Sequence, residues 1–275
     1  MSEFHAWHPH GPCDTSCVRI ETVGRLGHVV RVGRVAYRGT LIIVLVLVMP
    51  LLALKVPGKT RIVRSYWRFF IWCVGVRIVK SGGPIRNVPG VLVVSPHVSW
   101  VDAFVIYSLM PTAFVAKAEV TRGFAFGAMA RVMRMIPIDR NNLRQLPDVV
   151  NTVAERLRSG QNVTAFPEGT TWCGLAHGEF RPAMFQAAID AGRPVQPLRV
   201  SYQQHDGRPS TVAAFVGDDT LLASLLRVLA VRPILVHVHV EELLLPGTHR
   251  GELAARCQEL LRGTTSARYE HVLVA

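Results

Sequence analysis

The chain has 275 residues, with 31 Lys plus Arg against 19 Asp plus Glu for a formal net charge of +12, and 49% of its residues are apolar against 18% charged. That apolar content excludes a disordered or acidic scaffold, while 22 Gly in no triplet period and five scattered Cys exclude a collagen-like or disulfide-framework protein. Too few apolar runs approach 18 residues for a polytopic transporter, which leaves one cationic domain of substantial core and an anionic partner, either nucleic acid or an anionic membrane surface.

Residues 1–18 are rich in His, Pro and Gly and read as a disordered tail. His5, His8, His10, Cys13 and Cys17 could bind a metal, but no rigid element is expected to hold them, so the tail is read as frayed and metal-free. It is not a signal peptide, because its apolar run starts only at residue 41. Five Cys, odd in number and without a CxxC pair, fit a reduced, cytosol-facing chain.

Residues 19–38 place Arg19, Arg25, Arg31, Arg34 and Arg38 among Val and Leu, a basic amphipathic stretch. Leu41 to Leu54 then reads LIIVLVLVMPLLAL, an apolar run that spans about 21 Å as a helix, against roughly 30 Å for a hydrocarbon core. A basic cluster (Lys55, Lys59, Arg61, Arg64, Arg68) and a second apolar aromatic stretch, Tyr66 to Val79, follow. Positive charge on both flanks of the first run gives no preferred crossing direction, so the pair predicts a helical hairpin in one leaflet, with a buried core helix plus an amphipathic helix, or a single span, as the alternatives.

From Gly82 onward the pattern is that of an α/β domain. Val91 to Ser95, Thr112 to Ala116, Arg134 to Ile138, Asn162 to Phe166, Val195 to Tyr202, Thr211 to Val216 and Ile234 to Val240 read as strands. Helices are expected at 100–110, 122–134, 147–158, 183–191, 219–230 and 247–262. This alternation predicts an α/β fold with a mixed, mostly parallel sheet covered by helices on both faces, preceded by the membrane-associated hairpin.

Two constellations could carry chemistry. His97, in Ser95-Pro96-His97-Val98-Ser99-Trp100-Val101-Asp102, follows a buried strand, where α/β sheets place their sites. Ser99 and Asp102 form a capping-box pattern, so a helix starts near Trp100 with Asp102 in its first turn. The turn between them can bring the His97 Nδ1–H onto the carboxylate and leave Nε2 free as a base. The second constellation, Phe166-Pro167-Glu168-Gly169-Thr170-Thr171, also follows a strand. Gly169 permits close approach of a ligand, Glu168 can accept from a hydroxyl, and Thr170 and Thr171 offer donors.

Together, HVSWVD and, about 70 residues later, FPEGTT resemble the motifs of the glycerolipid acyltransferase family, which includes glycerol-3-phosphate and 1-acylglycerol-3-phosphate acyltransferases. Two weaker blocks match in order: Lys117-Ala118-Glu119 with Gly127 and Ile136-Pro137-Ile138-Asp139-Arg140, then Val195-Gln196-Pro197. The resemblance covers roughly residues 65–240 and implies that His97, oriented by Asp102, deprotonates a lipid hydroxyl that attacks the thioester of acyl-CoA or acyl-carrier protein. It implies that Arg140 binds the acceptor phosphate and that Glu168 and Gly169 hold its glycerol part. Lys117 is a candidate second cation near the phosphate or the thioester oxyanion. No metal, cofactor or covalent acyl-enzyme is needed, because a thioester is already activated. Cys173 reads as a bystander.

The sequence departs from the family at Thr171, where many phosphatidate-forming members have Arg, and at Pro96, often Asn. FPEGTT is a spelling associated with lysophospholipid and lyso-ornithine lipid acyltransferases as well as with some phosphatidate makers. The expectation is therefore a tail (1–18), a basic and apolar membrane-associated helical segment (19–80) and an α/β acyltransferase domain (81–275). The protein would act on 1-acylglycerol 3-phosphate or a related lysolipid in phospholipid biosynthesis, at the cytoplasmic face of the inner or plasma membrane. Rival readings are acylation of lyso-ornithine lipid or glycerol 3-phosphate, and a non-catalytic basic membrane-binding protein. Nucleic acid is set aside, since zinc-finger spacing and RNP-like aromatic blocks are missing.

Overall fold

A computed structural model describes residues 11–20, 24–53, 58–85, 88–121, 124–139 and 142–272. His5, His8, His10, Lys55 and Arg140, all singled out from the sequence, lie outside the described residues. In chain order the elements are α1 (Arg25–Val48), α2 (Lys59–Val74), β1 (Val76–Gly82), β2 (Leu92–Val94), α3 (Val101–Leu109), β3 (Ala113–Lys117), α4 (Phe124–Val132) and β4 (Ile136–Ile138). There follow α5 (Leu146–Arg158), β5 (Val163–Ala165), α6 (Ala183–Ala191), β6 (Val195–Gln203), α7 (Leu221–Ala230), β7 (Ile234–Val240) and α8 (Arg250–Val272).

The strands form one sheet in the order β1-β7-β6-β2-β5-β3-β4. All neighbours are parallel except β6 and β7, giving the mixed, mostly parallel sheet expected from the sequence. The period-two alternation of β2 shows how both faces are covered. Val91 and Val93 join the core beneath α1, α2, α3, α4 and α7, while Leu92 and Val94 join the one beneath α5, α6 and α8. A strand buried on both faces must be a continuous apolar run, which is how VLVV reads.

Four sequence expectations are corrected. The stretch Tyr66 to Val79 is not one element: α2 ends at Val74, Gly75 takes a left-handed φ of +91°, and Val76 opens β1. A Cβ at Gly75 would also stand 2.4 Å from the Arg38 guanidinium and would displace that group. Second, the basic stretch and the apolar run are not separate, since α1 and the 3-10 turn Met49–Ala53 carry both. Third, Thr211 to Val216 forms turns rather than a strand. The Arg227 side chain donates to the carbonyls of Val212 (2.9 Å) and Ala214 (2.8 Å), and the Phe215 N–H donates to Val98 (3.0 Å), so this backbone is satisfied without a ladder. Fourth, residues 11–18 are not frayed: Cys13 is 7% exposed, and the Arg19 N–H beyond them donates to Thr211 Oγ1 at 2.9 Å.

The helical hairpin is fastened to the domain in two ways. On α2, Trp67 and Phe70 are buried against Phe104 and Tyr107 of α3, at ring separations of 4.8–6.2 Å. On α1, Arg38 is buried and donates to the carbonyls of Leu229 (2.9 Å) and Val231 (3.0 Å), while Arg34 donates to Ala230 (2.8 Å). These carbonyls end α7, where a helix leaves its last acceptors unpaired and its dipole negative. Two arginines of the basic stretch thus serve as a C-cap rather than as free surface charge.

Replacing Arg38 with Met keeps the apolar stem but removes the cap. It should destabilise the protein by about 2 kcal/mol and lower its melting temperature by several degrees in a thermal-unfolding measurement. A melting temperature within about 1 °C of the wild type would show that the cap is energetically idle.

Candidate active site

The parallel register assembles the site. Val94 of β2 pairs with Ala165 of β5, so His97 and Glu168, each three residues further on, leave the same sheet edge side by side. On the other flank of β2, Val94 pairs with Pro197 of the Val195-Gln196-Pro197 block. Lys117 ends β3 paired with Ile138 of β4, so the remaining block reaches the same carboxyl edge. Motifs scattered over about a hundred residues are thereby delivered to one line, where open α/β sheets place their ligands.

His97 is held from several directions. Its Nδ1 lies 2.9 Å from Asp102 Oδ2, and its ring stacks on Phe166 with centroids 3.9 Å apart. Its backbone N–H donates to Glu168 Oε2 at 2.8 Å, and its carbonyl accepts the Trp172 N–H at 2.8 Å. The imidazole keeps 18% of its surface exposed, enough for a substrate to reach.

Asp102 is fully buried yet well supplied with donors. Oδ2 also accepts the backbone N–H groups of Val98 (2.8 Å) and Ser99 (2.9 Å), and Oδ1 accepts the Tyr202 hydroxyl. Ser99 Oγ in turn accepts the Val101 N–H at 3.3 Å, which with the Ser99 N–H to Asp102 bond makes the reciprocal cap read from the sequence. With Asp102 accepting, Nδ1 carries the proton and Nε2 is left unprotonated, available as a base.

Glu168 holds the loops together. Its second oxygen accepts the Gly178 N–H at 3.0 Å. Burial, partly offset by the His97 and Gly178 N–H donors, pushes its carboxyl up from the ordinary 4.5 to about 7. Gly169 follows at φ +73°, a conformation that glycine adopts without strain. Thr171 donates its hydroxyl to the Phe215 carbonyl, so its proton is committed to the fold, and Thr170 is half-buried beside it. Lys117 is 47% exposed and lies 3.5 Å from Glu119.

The structure therefore joins His97, Asp102, Glu168 and Gly169, and puts Lys117 on the same edge. The sequence gives no sign of Tyr202 or Trp172 as contributors, nor of the Phe166 ring as a support for His97. Nothing local marks Tyr202, whose hydroxyl reaches Asp102 only because β6 runs beside β2.

The acyltransferase family profile matches residues 77–201, which include both motifs. A 1-acyl-sn-glycerol-3-phosphate acyltransferase of Neisseria meningitidis is 34% identical over 58% of this chain, which spans 63% of that relative's length. A lyso-ornithine lipid O-acyltransferase of Pseudomonas aeruginosa is 36% identical over 75% of the chain and 79% of the relative. The chain belongs to the glycerolipid acyltransferase family. The fold agrees: a crystal structure of the 1-acyl-sn-glycerophosphate acyltransferase from Thermotoga maritima superposes with a TM-score of 0.62 at 18% identity, covering 87% of this chain and 97% of that one. Within this chain, the sequence motifs and the built geometry thus coincide at His97, Asp102 and Glu168.

The raised Glu168 value fixes a sign. The folded protein holds that proton more tightly than the unfolded chain, so the associated stability is complete below about 4.5 and lost as pH rises through about 7. Urea unfolding of the wild type and of Glu168→Gln should show the wild type losing, relative to the variant, on the order of 3 kcal/mol across that window. Parallel stability curves would contradict the assignment.

Proposed function

We propose that this protein is a membrane-associated O-acyltransferase, which moves a fatty acyl group from acyl-CoA or acyl-carrier protein to the free hydroxyl of 1-acylglycerol 3-phosphate or a related lysolipid. The observation that carries this reading is the His97–Asp102 pair, with Nδ1 anchored at 2.9 Å and the ring still reachable. The acceptor hydroxyl gives its proton to His97 Nε2 as its oxygen attacks the thioester carbon. Asp102 stabilises the imidazolium that forms, and the proton then leaves with the departing thiolate. A thioester needs no covalent intermediate on the enzyme, so the protein's work is positioning and charge stabilisation, without a cofactor.

Glu168 has both oxygens on backbone donors, so its first task is to fix the His97 loop, while its remaining lone pairs face the acceptor glycerol with Gly169 and Thr170. Lys117 and Arg140 are the cations proposed for the phosphate or the oxyanion. The lyso-ornithine reading is favoured by one observation: Thr171 occupies a position where its hydroxyl holds Phe215 rather than adding a cation for phosphate.

Membrane association is supported by the hairpin. On α1 and its following turn, Ile43, Val44, Val46, Leu47, Val48 and Leu51 are exposed, and on α2 so are Ile62, Phe69 and Trp72. Arg61 and Arg68 are exposed on the same helix and suit anionic headgroups. The helix over Arg25–Leu52 is long and apolar enough to cross a bilayer by length and composition. Buried Arg38 nevertheless pins its middle to α7, which favours the apolar end dipping into one cytoplasmic leaflet.

Purified protein given acyl-CoA or acyl-carrier protein, together with 1-acylglycerol 3-phosphate, lyso-ornithine lipid or glycerol 3-phosphate, should form an acylated product detectable by mass spectrometry. His97→Ala should lower that rate by about 10³-fold. Unchanged transfer by His97→Ala would refute the general-base role, and no product with any acceptor would refute the activity.

A further inference from the structure

Three cysteines that the sequence scatters meet at one point in the fold. Cys13 precedes and Cys17 ends the 3-10 turn Thr15–Cys17, whose start Asp14 caps by accepting the Ser16 N–H at 2.9 Å. Cys173 lies two residues beyond Thr171, just after the Trp172 whose N–H fastens this loop to His97. The three sulfur atoms all lie within 4.8 Å of one another, with Cys13 and Cys173 buried and Cys17 half-buried. Thiolates bound at about 2.3 Å around a tetrahedral zinc ion stand roughly 3.8 Å apart, so modest side-chain rotation closes the set.

The surroundings of Cys173 suit a bound thiolate. The backbone N–H groups of Leu175 and Ala176 hydrogen-bond to the Cys173 sulfur. Such N–H donors are the partners that orient a metal-bound sulfur. The segment at residues 11–20 also has a mechanical need for a cross-link. Its regular structure is a single three-residue turn, and it crosses other loops at Thr211, through the Arg19 N–H, and near Thr170 and Gly217. Segments this small, without a core of their own, are commonly held by metals or disulfides.

We propose that Cys13, Cys17 and Cys173 form a structural site for a soft divalent cation, zinc before others, that rivets residues 11–20 to the loop carrying Glu168 and Thr171. On binding, each thiol releases its proton to solvent and three metal–sulfur bonds form, with water or a further donor in the fourth position. An all-thiolate set of this kind selects zinc over magnesium or calcium. The site stands beside the proposed reaction centre and takes no part in proton transfer. Its presence does not depend on which lysolipid the enzyme acylates, or on whether it acylates one.

The test uses the full chain, purified in detergent without added metal or chelator. Elemental mass spectrometry should find about one zinc per chain, and Cys173→Ser should lose it. Because Cys173→Ser could misfold, Cys17→Ser, at the partly exposed position, is measured as well and should also lose the metal. Cobalt added to the reduced apoprotein should give sulfur-to-metal charge-transfer and intense visible bands of a tetrahedral thiolate site, absent from both variants. Less than about a tenth of a metal ion per chain together with no cobalt bands would overturn the proposal. So would full zinc occupancy in both variants, or a Cys13–Cys17 disulfide in freshly isolated protein.

Discussion

The buried carboxylate of Asp102 organises the catalytic end of this protein. Taking an ionised carboxylate out of water costs several kcal/mol unless hydrogen bonds replace its hydration. Here the replacement comes from the His97 ring, two successive backbone N–H groups and the Tyr202 hydroxyl. Meeting those donors fixes the turn from Ser95 to Ser99, the start of α3 and the placement of β6. The same bonds choose the His97 tautomer, so the folding requirement and the catalytic requirement are one geometry.

The sheet supplies the second constraint. Parallel strands in register send their following loops out at the same edge, so residues equally far beyond β2 and β5 become neighbours without any sequence proximity. Glu168 then ties the two loops by accepting from both His97 and Gly178, and the Trp172 N–H returns to the His97 carbonyl. The FPEG block is in this sense a lock on the HVSWVD block as well as a candidate contact for the acceptor. The hairpin enters the same system through Trp67 and Phe70, which pack on the helix that carries Asp102. A lipid-facing element and the catalytic helix therefore share a core.

Much of this was legible in the sequence because it is local. The apolar runs named β2, β5, β6 and β7, Gly192 closed α6, and Ser99 with Asp102 foretold the cap and the histidine–carboxylate contact. What escaped reading depends on partners far along the chain. Arg38 looked like surface charge because the α7 carbonyls that it caps are about 190 residues away. Tyr202 looked like any strand residue. Cys13, Cys17 and Cys173 had no shared spacing, and Thr211 to Val216 looked like a strand because nothing nearby shows Arg227 occupying its carbonyls. The break at Gly75 was hidden because apolar residues on both sides suit a helix and a strand equally well.

The central claim is that Asp102 holds His97 with Nε2 poised as the base, and replacing Asp102 with Asn tests it most directly. The amide keeps the size but cannot accept from every donor that the carboxylate serves, and it turns an N–H toward some of them. In folded Asp102→Asn protein, kcat for acyl transfer should fall by about 10³-fold or more with little change in the acceptor KM. A kcat within about threefold of the wild type would contradict the account.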